Sequence, residues 1–119
     1  MSTAKAAHTV DALFVKSVPA VRATYDAILE SSRKLGKVVV EPKKTSIHLV
    51  RSSAFAGVAT RKDALILTVK ASAPIHSPRV HRSEQTSANR WHVELRLESP
   101  KAVDRQVRAW LKSAYELAG

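Results

Sequence analysis

The sequence predicts an α+β domain: an antiparallel sheet of four or five strands, with N-terminal and C-terminal helices packed on one face. Three observations lead there. Apolar residues recur at helical spacing near both ends of the 119-residue chain. Between them, apolar and polar residues alternate as they do along half-buried strands. The strand candidates also follow one another through turns too short for a crossover helix, which favours antiparallel neighbours.

Thr9 is placed to cap a short helical turn through Leu13 and Phe14, with Asp11 in the first turn, where the helix dipole favours an acid. Ser17-Val18-Pro19 marks a second helix start, because proline suits a position whose N–H would lack a partner anyway. Val21, Tyr25, Ile28, Leu29 and Leu35 then form one apolar stripe. Glu30 lies four residues before Lys34, the supportive order for an exposed pair. Gly36 is the expected left-handed cap.

The period then changes. Val38–Val40 is a short β-branched run stopped by Pro42, which has no N–H for a ladder. In Thr45–Arg51, Ile47 and Leu49 share one face and Ser46, His48 and Val50 the other. A weaker strand follows at Phe55–Thr60, then a tight turn at Arg61-Lys62-Asp63 into Leu65–Lys70. Residues 71–89 show no clean period and read as a long loop, a candidate for function because such loops are uncommon in compact domains. Trp91–Leu97 is the clearest strand, with Trp91, Val93, Leu95 and Leu97 facing inward. Ser99-Pro100 is the expected start of a last helix carrying Val103, Val107, Trp110, Leu111, Ala114 and Leu117 on its inner stripe. Residues 1–8 are expected to be disordered, and the length suits one domain over 1–119 without a linker.

Cysteine is absent, which excludes disulfides and thiolate metal sites. No apolar run approaches a membrane span or a signal segment, so no membrane association and a cytoplasmic location are expected. The formal charge of +10 is unevenly placed: residues 31–93 carry twelve Lys and Arg against Glu41, Asp63 and Glu84. A field of that sign draws polyanions.

Lys43, Lys44, Arg51, Arg61, Lys62, Arg79, Arg82 and Arg90 are therefore the candidate anion-binding residues, with Lys70 beside them. On one face they would neutralise several phosphates of a nucleic acid without reading its sequence, or meet an acidic protein. The aromatic residues fall mostly on apolar stripes, which argues against base stacking. An alternative is a small anionic ligand or a catalytic site under the 71–89 loop, with Arg79 and Arg82 as a clamp. Another is a protein-interaction module.

The usual enzyme signatures are missing, so no cofactor, metal site or catalytic residue is assigned and a non-enzymatic role is expected. With three glycines, neither a phosphate-cradling loop nor a dinucleotide fingerprint is possible. Glu41-Pro42-Lys43 has half the pattern of a metal-dependent nuclease, but the only preceding acids, Asp11, Asp26 and Glu30, lie on predicted helices. His48, His76, His81 and His92 lack ligand spacing.

Several segments occur together in a familiar order: Thr9–Phe14, Val39–Ile47, Ser77–Val80, Asn89–Leu95 and Val103–Glu116, the last with its Val-Asp, Trp-Leu and Ala-Tyr pairs. In this the chain resembles a bacterial domain family known as domain of unknown function 5655. The resemblance covers nearly the whole length. It implies a small α+β domain of the bacterial cytoplasm that occurs alone or joined to other domains, some of them nuclease-like. It supplies no catalytic residues.

Overall fold

Short turns and alternating side chains build a meander of four strands: β1 (Val39–Pro42), β2 (Ser46–Val50), β3 (Ala54–Thr60) and β4 (Leu65–Ala71). A hairpin of β5 (Val80–Ser87) and β6 (Arg90–Leu97) completes the sheet. These strands belong to a computed structural model that describes residues 8–119. All pairings are antiparallel, and the six strands run in the order β1-β2-β3-β4-β6-β5. The hairpin therefore enters through its second strand, leaving β5 at the edge.

The register stacks apolar residues in rows across the sheet. Ile47, Val58, Leu67 and Leu95 are successive cross-strand partners, and Leu49, Ala56, Val69 and Val93 form the next row. All eight are buried. Three helices complete the chain: α1 (Val10–Leu13), α2 (Pro19–Arg33) and α3 (Arg105–Leu117). α3 packs on β3 and β4, and α2 lies beside α3 and reaches β4. Val21, Tyr25 and Ile28 of α2 and Val107, Leu111 and Ala114 of α3 close the core. The class, the antiparallel pairing and the helix-covered face agree with the sequence reading.

Local signals acted as expected at the N-terminal side. The Thr9 hydroxyl accepts the Ala12 N–H at 3.1 Å, and Pro19 opens α2. The C-cap of α2 is Lys34, not the expected Gly36, which lies two residues further on with φ 151°, a conformation L side chains avoid. The Tyr115 hydroxyl lies where a Gly36 Cβ would be and donates to the Lys37 carbonyl at 3.0 Å.

Three further expectations are corrected. The sheet has six strands, not four or five. Residues 71–89 are not one loop: β5 occupies Val80–Ser87, and the irregular part shrinks to residues 72–79. β5 carried no readable period because seven of its eight residues are exposed. The last helix begins later than Ser99-Pro100, which opens a single 3-10 turn at Pro100–Ala102; Asp104 is the N-cap, accepting the Val107 N–H at 3.1 Å. The disorder expected for 1–8 falls, His8 apart, outside the described residues.

A register shift between Leu49 and Val50 accompanies burial of two consecutive β3 residues, Phe55 and Ala56. Phe55 meets the Tyr115 ring edge-on at 5.2 Å between centroids. Nearby, the β2–β3 turn grips the end of α3: the Ser52 and Ser53 N–H groups donate to the Ala118 carbonyl at 3.1 and 3.3 Å.

Candidate functional site

The register brings half of the sequence-identified bases together. Ser46 of β2 pairs with Ala59 of β3, so the β1–β2 turn at 43–45 and the β3–β4 turn at 61–64 lie side by side at one end of the sheet. Lys43, Lys44, Arg61 and Lys62 stand exposed on those turns. A fifth cation, Lys16, joins them from the α1–α2 link. Two bonds hold that link to the second turn: Ser17 Oγ donates to the Arg61 carbonyl and the Val18 N–H to the Lys62 carbonyl, both at 2.7 Å. Lys16 lies far from the turns in sequence, and only the fold reveals its place.

Carboxylates at this end offset little of that charge. Glu41 meets Lys43 at 3.5 Å, and Asp63 is drawn to Arg96 at 3.3 Å. Among the described residues, Lys16, Lys44, Arg61 and Lys62 form no ion pair. No aromatic residue occurs in 15–18, 43–45 or 61–64. The surface presents exposed cations without a stacking platform.

The other candidates lie elsewhere. Arg51 is at the opposite end of the sheet, its guanidinium 4.4 Å above the Tyr115 ring and donating to the Tyr115 carbonyl at 3.0 Å. Arg90, at the start of β6, is also at that end and donates to the adjacent Asn89 carbonyl. Arg82 sits on β5 opposite Glu94. Arg79 is committed internally: it meets both Asp104 carboxylate oxygens at 2.9 Å and the Ala102 carbonyl at 2.8 Å. The Val107 N–H, and after it Arg79, hold the Asp104 carboxyl below the ordinary aspartate range. Arg79 and Arg82 thus do not form a clamp over a pocket.

On the uncovered sheet face, Glu41 stands opposite His48, His48 opposite Gly57, and Lys70 opposite His92. His76 and His81 are exposed outside this group. Among the described residues no cluster of three or more His, Cys, Asp or Glu could hold a metal ion. No helix among them is long and apolar enough to cross a membrane.

Two groups under α2 are perturbed without marking a site. Burial raises the Tyr25 phenol above its usual value, and Asp11, followed by Asp26, raises Arg22 despite partial desolvation. Arg22 also lies 5.2 Å from the Phe14 ring centroid, so these contacts fasten α1 to α2.

The family model described as Domain of unknown function (DUF5655) matches residues 10–118. No curated protein and no solved structure matches.

Proposed function

The chain belongs to the DUF5655 family, and on that premise we propose that it is a non-enzymatic accessory domain that binds the phosphate backbone of nucleic acid through its basic end. The observation that carries this reading is the convergence of Lys16, Lys43, Lys44, Arg61 and Lys62 on two adjacent turns and the link bonded to them. Such cations displace the counterions condensed on a polyphosphate, and affinity then falls steeply with salt. The lack of aromatic residues on these turns makes the recognition one of charge, with duplex sequence unread. Arg51 and Arg79 stand outside the interface, because their guanidiniums are spent on the end and the start of α3.

Fluorescence anisotropy of labelled duplex DNA and RNA, titrated across a salt series, tests the proposal. Five neutralised phosphates give a log–log slope of about -4 to -5. Lys44→Glu with Lys62→Glu flattens that slope by about two or more, while Arg90→Glu at the opposite end leaves it nearly unchanged. Absence of binding at low salt, or equal effects from both ends, overturns it.

A further inference from the structure

The uncovered sheet face has a hollow that runs along β3, from Ser46 and Ala59 beside the basic turns to Ala54 and Lys70. Its floor lies along β3, where Gly57 and Ala59 put no bulk above the sheet. His48 rises from β2 on one side, and Thr68 and Lys70 rise from β4 on the other, with His92 beyond. The groove measures about 240 Å3. That is below the roughly 300–1,000 Å3 of sites for drug-sized molecules, so it fits a single-ring ligand, not a polymer.

The chemistry of the walls is one-sided. Lys70 supplies a cation at the groove's wall, its Nζ donating to the hydroxyl of Ser53 just outside the lining at 3.1 Å. Two imidazoles and the Ser46 and Thr68 hydroxyls add donors, and no carboxylate lines the groove. Three acids border the groove as cross-strand partners of its wall residues: Glu41 opposite His48, Glu94 opposite Thr68 and Glu84 opposite His92. A small-residue floor between a lysine, two histidines and hydroxyls matches a flat apolar body bearing one phosphate. The three phosphate oxygens can use several donors at once, where a carboxylate has two.

We propose that this groove is a binding site for a small organic monophosphate with a single planar ring. The groove adjoins the basic turns but is lined by none of their five cations, so the proposal does not rest on the nucleic-acid reading. Gly57 gives the means to close it. A Cβ there meets Thr68 Cβ at 3.9 Å and the Ile47 carbonyl at 4.0 Å, ordinary contacts, and its φ is not in the left-handed region. Gly57→Val fills the floor with a residue that strands favour.

Titration of the nitrogen-15-labelled protein with phenyl phosphate, followed by NMR, provides the test. Expected are shifts in the Gly57, Ala59 and Thr68 amides and in the His48 and His92 imidazoles. Gly57→Val weakens binding at least tenfold without lowering the Tm. Lys70→Met, which keeps the apolar stem, weakens it by a similar factor and supplies an independent reading if the valine variant does not fold. Lys44→Glu with Lys62→Glu leaves it unchanged, so failure here and failure of the nucleic-acid proposal are distinguishable. The proposal is overturned if shifts are absent at millimolar probe or confined to residues 43–45 and 61–64. It is equally overturned if benzoate or inorganic phosphate binds as tightly as phenyl phosphate.

Discussion

Arg79 shows how a candidate binding residue can be a structural one. It lies on the segment before β5, yet its guanidinium meets Asp104 at 2.9 Å and the Ala102 carbonyl at 2.8 Å. Asp104 in turn caps α3. Removing the cap with Asp104→Ala is expected to cost about 1 kcal/mol. Arg79→Ala should cost a comparable ~1 kcal/mol, and the double variant less than the sum, because the two share one network. Urea unfolding of the three variants checks this. The charge component can be isolated with Asp104→Asn, which still caps. The folded-state pKa of Asp104 is lowered, so its ionic contribution is complete above its ordinary value of 3.8 and is lost as pH falls through the lower folded value. The stability gap between wild type and Asp104→Asn should therefore narrow on acidification in that range. A gap that widened in acid would reject this account. At Gly36, alanine meets both an unfavourable φ of 151° and the Tyr115 hydroxyl. A loss above ~1 kcal/mol is expected there, read as a lowered Tm. The left-handed glycine at 36 was legible from its place after an apolar stripe, although the cap itself falls on Lys34. The Arg79–Asp104 pair was not, since charge in a sequence does not say which partner folding will bring.

Among the elements, β5 separates what periodicity can reveal from what it cannot. β6 was readable because Val93, Leu95 and Leu97 alternate into the core while His92 and Arg96 point out. β5 pairs with β6 through its backbone but lies beyond the helices, so neither of its faces is selected for apolar residues. His81, Arg82, Ser83, Glu84 and Gln85 leave no trace of period two. Its edge is blunted as well: register shifts fall between Val80 and Arg82 and between Gln85 and Ser87, and charged residues lie between them. Both devices discourage pairing with another chain, which weighs against an interaction module built on this strand. With little apolar area to hold it, β5 should open locally before the meander does. Hydrogen exchange tests this: amides of Arg82–Gln85 should exchange much faster than those of Leu67 and Val69. Protection of β5 equal to that of β4 would show a cooperativity its exposure does not explain.

At the scale of the molecule, the basic segment of the sequence becomes two separate ends. The meander folds residues 43–62 back so that Lys43, Lys44, Arg61 and Lys62 meet, while the same geometry carries Arg51 away from them. The charge excess was visible in composition. Its division was not, because a hairpin sends turns alternately to opposite ends and only the strand register says which residues become neighbours. Lys16 was missed for the same reason: two hydrogen bonds across the fold place it. The expected salt slope of about -4 to -5 belongs to that assembled end. Scattered charges acting independently would give a slope insensitive to which end is reversed.

The grip of the β2–β3 turn on Ala118, and the seat of α3 on β3 and β4, set the order in which a newly made chain can mature. The sheet is synthesised before α3. Leu67, Val69 and Val93 are made after α2, which can cover part of their face, and before Val107 and Leu111, which follow at about 5–20 residues each second. A chain that ended within residues 98–104 would lack α3, leaving the part of the sheet on β3 and β4 that α3 covers bare beside α2. In such a chain the polar, exposed β5 would blunt one of the sheet's two edges against pairing with neighbouring chains.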